Sequence, residues 1–249
     1  MKIAVLLKRV PDTGISLWVA PDGSDIVQEG IVYVTSPYEE YGLEEAVRIK
    51  EKAPDTEIVA VSLGPDEAQE VLRNALAIGA DRAILLKSPD YKWFDPMTTA
   101  AILAETLRAE NPDLIFAGKQ AVDDNAFAVP AYIACNLGLP IVSYAVNIEL
   151  SSADAIVTRE TDWGTEKLRI SLPCVITCEK GLNEPRLPAL RGIMAAKKKT
   201  IEIKDVSGSP VFARPTLSLP PQKQAGVKVQ KEFPQDVDEL LSFMREKIL

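Results

Sequence analysis

Over its first two thirds the chain alternates short, almost wholly apolar runs with longer stretches whose apolar residues recur every three or four positions. That alternation leaves few folds open. Ile3 to Leu7, Ile58 to Leu63, Ala83 to Leu86 and Leu114 to Ala117 read as strands buried on both faces. Between them lie helical stretches: Glu39 to Glu51 with Leu43, Ala46 and Val47 on one face, then Pro65 to Ile78 with Ala68, Val71, Leu72, Ala75 and Leu76. Gly79 is placed to stop the second of these, as a glycine beyond a helix end does. Met97 to Glu110 and Phe127 to Leu137 follow, the latter closed by Gly138 and Pro140. Parallel strands need crossovers, and helical crossovers cover both faces of a sheet. The pattern therefore predicts an α/β fold: a doubly wound, mostly parallel, Rossmann-like sheet.

From Ile141 the style changes. Val142 to Ile148, Ala155 to Glu160, Lys167 to Ile170 and Val175 to Cys178 are short strands separated by turns at Ser151 to Asp154 and Asp162 to Thr165, which predicts a small antiparallel extension on the sheet edge. After Lys199 the chain reads as an extended arm. Pro210, Pro215, Pro220, Pro221 and Pro234 exclude long helices there. Asp236 to Leu249 then forms a helix with Val237, Leu240, Leu241, Met244 and Ile248 on one stripe. Such an arm has little to bury against in its own domain and is expected to wrap a partner subunit. Three regions result: an α/β nucleotide-binding-type domain over 1–185, a partner-recognition loop with a basic run over 186–204, and the arm over 205–249.

Composition narrows the function. A formal charge of −8 argues against nucleic acid, because phosphate binding needs a cationic face. There is no histidine, so serine or cysteine nucleophiles activated by imidazole and imidazole-ligated metals are unavailable. No catalytic residue and no metal site is expected; the chain reads as a binder or carrier. Cys135, Cys174 and Cys178 are odd in number and make no disulfide framework, which suits a reducing cytoplasm. No apolar run approaches the roughly 20 residues of a membrane helix, and MKIAVLLKRV reads as a first strand rather than a signal peptide.

Lys180 to Ile203 stands apart. Asn183, Glu184, Pro185 and Pro188 interrupt regular structure, yet Leu182, Leu187, Leu190, Ile193 and Met194 are too many apolar residues for an idle loop, and Lys197 to Lys199 follow. The segment reads either as a docking loop or as a loop folded over its own core. LNEPRLPALRGIMAAKKK resembles the signature of the electron-transfer flavoprotein beta subunit, close to LNEPRYxxLxxIMxAKKK. VSLGPDEAQEVLRNALAIGADRAILL (Val61 to Leu86), GKQAVDD (Gly118 to Asp124) and PPQKQAGVKV (Pro220 to Val229) resemble the same family in its order and spacing. The resemblance makes Leu187, Leu190, Ile193 and Met194 partner-binding residues, with Leu190 the anchor for a dehydrogenase pocket.

In a doubly wound sheet, ligands lie beyond the carboxyl ends of the strands, which here means the loops Lys8 to Asp12, Leu63 to Glu67 and Gly118 to Asn125. On residues alone these loops support a nucleotide site only weakly, since neither a P-loop nor a GxGxxG is present. The resemblance implies nucleotide contacts at Leu6, Lys8, Ser36, Leu63, Gln120, Asp123, Ala126, Phe127, Ala128 and Val129, with AMP in members serving acyl-CoA dehydrogenases or a second FAD in electron-bifurcating members. The redox FAD is held mainly by the alpha subunit. The loop departs from both patterns: the family has DxDxNQTG or DGDTAQVG where this chain has DDNAFAVP (Asp123 to Pro130). Side-chain donors are lost at 126–129, each worth about 1 kcal/mol, Pro130 removes an N–H, and Asp124 adds negative charge. AMP or no ordered ligand is expected, not a second flavin.

The expected function is therefore the beta subunit of a heterodimeric, FAD-containing electron carrier between acyl-CoA-type dehydrogenases and a membrane quinone oxidoreductase. The alternatives are a subunit of an electron-bifurcating NADH-oxidising flavoprotein and a stand-alone nucleotide-binding regulatory protein.

Overall fold

The structure, a computed structural model, describes residues 1–213, 216–223, 225, 226, 228, 229 and 232–247. Of the residues read from sequence, Pro215, Ile248 and Leu249 lie outside this set. The chain divides into two units, Met1–Leu17 with Val27–Pro215, and Trp18–Ile26 with Thr216–Leu249.

The larger unit opens with β1 (Lys2–Leu6), β2 (Arg9–Pro11) and β3 (Tyr33–Thr35), then α1 (Pro37–Lys52), β4 (Glu57–Gly64), α2 (Gln69–Ile78), β5 (Arg82–Lys87), α3 (Pro96–Glu110), β6 (Leu114–Gly118) and α4 (Val129–Leu137). β7 (Ile141–Leu150), β8 (Asp154–Thr161), β9 (Gly164–Ser171), β10 (Cys174–Cys178), α5 (Leu190–Ala196) and β11 (Glu202–Asp205) complete it. Among the described residues nine strands form one sheet in the order β11-β5-β4-β1-β6-β10-β7-β8-β9. Pairing is parallel from β11 to β7 and antiparallel from β7 to β9. β2 and β3 make a separate antiparallel pair.

The period-two side-chain alternation of a strand sorts the core into two layers. Ile3, Val5, Ile58, Ala60 and Phe116 pack with Leu43, Ala46, Leu72, Ala75 and Ala196 under α1, α2 and α5. Ala4, Leu6, Val59, Val61 and Ile115 face the other way, against Leu103 and Leu107 of α3 and Ile133 of α4. The doubly wound expectation holds.

Three local expectations are corrected. Val175 to Cys178 was expected in the antiparallel extension, but β10 lies between β6 and β7 and pairs parallel with both. Its five residues are all buried, which suits a strand covered on two faces and not an alternating edge strand. Lys180 to Ile203 is not all loop: α5 starts directly after Pro188 and Ala189, because a proline ahead of a helix obstructs nothing inside it. The chain does not become an arm at Lys199, since β11 adds to the edge beside β5. EIKD, three of whose four residues are exposed, carries too little apolar signal to announce itself. Residues 206–213 then run past α3, where the carboxylate of Asp95 caps the helix by accepting from the Thr98 N–H at 2.8 Å and also accepts from the Phe212 N–H at 3.1 Å.

In the smaller unit Val19 bridges Ile26, and the Leu217 N–H donates to the Gly23 carbonyl at 2.9 Å. Gly23 has φ +68°, and a Cβ there would lie 2.8 Å from the Leu217 carbonyl oxygen, so glycine is required. The helix α6 (Gln235–Lys247) leaves Val237, Leu240, Leu241, Phe243 and Met244 exposed.

Candidate functional site

From β1 the chain moves outward through β4 to β5, then returns to place β6 on the other flank of β1. The sheet's switch point therefore lies between β1 and β6, where a crevice opens beyond the strand ends. The structure brings Lys8, one residue past Leu7 after β1, to the loop after β6. Its Nζ lies 2.8 Å from Asp123 Oδ1 and 3.1 Å from Asp124 Oδ2. The Lys8 carbonyl accepts from the Ser36 N–H at 2.9 Å, and its own N–H donates to the carboxyl of Glu39. Lys8, Ser36 and Asp123 thus converge, with Glu39 beneath them. Glu39 was not singled out from sequence, because nothing distinguishes it from Glu40 in PYEEYG.

Burial opposes the charge on Lys8, but the Asp123 and Asp124 carboxylates outweigh it and raise its pKa. Burial pushes Glu39 well above the ordinary carboxylate value of 4.5, against the Lys8 N–H and charge that favour ionisation. A carboxyl whose folded pKa is raised contributes stability that is complete below the unfolded value and is lost as pH rises through the folded one. Glu39→Gln, which mimics the protonated form, is therefore expected to raise the melting temperature at pH 8 and to change it little at pH 4. Equal shifts at both pH values would contradict the buried-acid reading.

The rest of the loop is fixed by its own polar groups. Gln120 Nε2 donates to Asn125 Oδ1 at 2.6 Å and the Ala126 N–H donates to Asp124 Oδ1 at 3.0 Å. Asn125 and Phe127 have φ +49° and +55°, so Phe127 and Ala128 lie ahead of α4, not in its first turn as expected. Phe127 is half exposed, its ring 6.4 Å from that of Tyr144. Leu6 and Leu63 pack in the layer under α3 and α4. Four polar atoms near the strand ends are buried with no hydrogen-bond partner: Arg9 Nε, Ser36 Oγ, Ser62 Oγ and Gln120 Oε1. Each such group costs about 1–3 kcal/mol unless something satisfies it. Two hydroxyls and an amide carbonyl suit the ribose or base of a nucleotide, whereas Asp123 and Asp124 oppose its phosphate.

A second site is built on α1 and α2. Arg186 donates to Glu44 from Nε at 2.8 Å and Nη2 at 2.9 Å, and to Glu51 from Nη1 at 2.6 Å. Asn183 Nδ2 donates to the Tyr41 carbonyl and to Glu45, both at 3.0 Å. With its base so pinned, the segment presents Leu187 90% exposed and Leu190 76% exposed, with Met194 and Ile193 beside them. Helix α5 rests on α2, where the Arg73 guanidinium donates to the carbonyls of Ala196 at 2.7 Å and Lys199 at 2.6 Å. Lys199 is no free cation, since its Nζ donates to the Ala80 carbonyl at 2.7 Å. Lys197 and Lys198 stay exposed.

The electron transfer flavoprotein domain matches residues 25–209, a span that includes the loop after β6 and the whole of the second site. The chain belongs to the electron transfer flavoprotein family. It is 38% identical over 249 residues to the electron transfer flavoprotein subunit beta of Syntrophomonas wolfei, covering 100% of this chain and 97% of the relative. It is 40% identical over 237 residues to the subunit of that name from Mus musculus, covering 92% and 93%. The Bradyrhizobium diazoefficiens protein of the same name is 37% identical over 252 residues, covering 99% and 98%. For an electron transfer flavoprotein chain, two further features of the described residues bear on the site. No helix is long and apolar enough to cross a membrane, and no three His, Cys, Asp or Glu side chains are grouped to hold a metal ion.

Proposed function

We propose that this chain is the beta subunit of a heterodimeric electron carrier that takes electrons from acyl-CoA-type dehydrogenases and passes them towards a membrane quinone oxidoreductase. The observation that carries the reading is the pair Leu187 and Leu190, almost fully exposed on a segment whose base is tied down by Arg186 and Asn183. Apolar side chains held out on ordered backbone are anchors for a partner pocket. The chain has no histidine, and its part is to scaffold the flavin subunit and present this segment, not to catalyse. FAD, held mainly by an alpha subunit, supplies the electron-accepting group. Residues 205–249, with the exposed stripe of α6, supply the arm that wraps the alpha subunit, while 1–185 form the nucleotide-binding-type domain and 186–204 the recognition element. The switch-point crevice, with Leu6, Lys8, Ser36, Leu63, Gln120, Asp123 and 126–129 around it, takes AMP or no nucleotide. Cys135, Cys174 and Cys178 are free thiols, which supports a cytoplasmic setting.

Leu190→Ala tests the reading. Filling a pocket with such a side chain is worth about 2 kcal/mol, roughly thirtyfold in affinity. The variant heterodimer is expected to accept electrons from the dehydrogenase with an apparent affinity thirtyfold weaker, its flavin spectrum and melting temperature unchanged. Unaltered kinetics with a lowered melting temperature would return Leu190 to a packing role. Nucleotide extraction from the same preparation is expected to give one FAD per heterodimer; two would favour the bifurcating alternative.

A further inference from the structure

Beside the docking segment a cleft opens between α1, α2 and residues 185–188, walled by Leu43, Ile78, Pro185 and Pro188, with the carboxylates of Glu40 and Glu44 and the Arg186 guanidinium, held by Glu44 and Glu51, also in its lining. Its volume is about 370 Å³ measured to the open mouth. Much of that space is open to solvent, so the cleft suits one long side chain inserted by a partner better than a separate, enclosed molecule.

The charges along this face of α1 are unequally shared. Glu44 accepts from Arg186 and from Arg48, Glu51 accepts from Arg186, and Glu45 accepts from the Asn183 amide. Glu40 has neither a hydrogen-bond nor an ion-pair partner among the described residues, although it is partly buried and burial raises its pKa. A carboxylate stripped of part of its hydration and given nothing in return is costly. Both nearby guanidiniums are already engaged. One carboxylate is too few oxygens to hold a calcium or magnesium ion. A lining that is part apolar, with one carboxylate left unmatched, complements a side chain with a methylene stem and a cationic head.

We propose that this cleft receives a lysine or arginine of the partner dehydrogenase, its stem against Pro185 and Pro188 and its cation on Glu40. The inference rests on the docking reading above: Leu187, which also lines the cleft, is 90% exposed, so a partner that buries it also closes the cleft. Two points of contact of different kinds, an apolar anchor and a cation, then fix the orientation of the docked pair.

The test uses the complete heterodimer with its flavin, titrated against a purified acyl-CoA dehydrogenase reduced by its substrate, at low and high salt. Glu40→Gln is expected to weaken apparent affinity on the order of tenfold at low salt, with the difference shrinking at high salt. The transfer rate at saturation should not change and the melting temperature should not fall, since the substitution removes a partly buried charge without a partner, and Glu40→Lys should bind more weakly still. Leu190→Ala, run alongside, separates the two ideas. If it weakens binding while Glu40→Gln matches the wild type at every salt concentration, the cleft proposal falls and the docking reading stands. If neither variant differs from wild type, both fall. Glu40→Gln losing affinity only in proportion to lost flavin or stability would make Glu40 a folding residue and also overturn the proposal.

Discussion

Replacing Glu44 with alanine is expected to cost the fold about 1.5–3 kcal/mol, the range for losing hydrogen bonds to a charged group, since the two arginines left behind are part exposed. Glu44 is 3% exposed and is the shared acceptor of Arg48 and Arg186, so its loss leaves two guanidiniums reaching into a face built for a carboxylate. At about 2–4 °C per kcal/mol for a protein of this size, the melting temperature should fall by about 3–12 °C. Glu51 retains Arg186 in part, which keeps the variant folded. Burial pushes the Glu44 pKa up, but hydrogen bonds from Arg186 and Arg48 outweigh it and leave the value below 4.5. Its contribution is therefore complete above the ordinary carboxylate range and disappears as pH falls through the folded value. The penalty for Glu44→Ala should be full at pH 7 and shrink on acidification, opposite in direction to the behaviour of Glu39 one turn earlier. A melting temperature within about 2 °C of wild type at pH 7, less than 1 kcal/mol on this scale, would show that the pair contributes no more than a surface bridge.

Gly192→Ala is expected to damage both stability and docking. A Cβ on Gly192 would stand 2.2 Å from the carbonyl oxygen of Ala77, a backbone atom that no rotamer change can clear. Helix α5 would have to lift from the end of α2, lengthening the two hydrogen bonds from Arg73 that terminate it. Overpacking of this kind costs about 1–3 kcal/mol. Because Leu190 and Met194 ride on the same helix, the proposed docking role adds that weaker transfer from the dehydrogenase should accompany the lowered melting temperature. Leu190→Ala, by contrast, separates those two readouts. An unchanged melting temperature in Gly192→Ala would mean that α5 and α2 are farther apart than the structure has them.

The architecture was legible wherever one physical signal dominated. KIAVL has no polar face, so β1 had to be covered on both sides; the apolar spacing in PDEAQEVLRNALAI could only be a helix. Position within the sheet was harder. CVITC was correctly a strand but placed at the edge, because strand order is set by which crossover packs where, and no local pattern encodes that. Glu202 to Asp205 escaped since its pairing is made by backbone groups, to which a sequence of mostly exposed side chains gives no clue. Among site residues, too many leucines in a proline-broken segment left open whether Leu187 and Leu190 face outward or fold over the core, and the structure has them exposed. Arg186 stood in the quoted motif, yet its acceptors Glu44 and Glu51 lie more than 130 positions away and are two of several carboxylates on α1. The pairing of Lys8 with Asp123 and Asp124 is likewise a product of the switch point, visible only once β1 and β6 are neighbours.

The crossover from β10 to β11 runs from a central strand to the far edge of the same sheet, and the docking segment with α5 is part of that crossover. Both of its ends are therefore parallel-sheet backbone, and its middle is bonded to α1 and α2. A flap hinged at one end would pay ordering entropy on every encounter, whereas a bridge fixed at both ends has paid it during folding. For the proposed carrier, which would meet its donor and leave again at each turnover, the consequence is kinetic. On the docking proposal, association would proceed without a folding step in this segment, and the lifetime of the complex would be set by how well the two leucines are gripped.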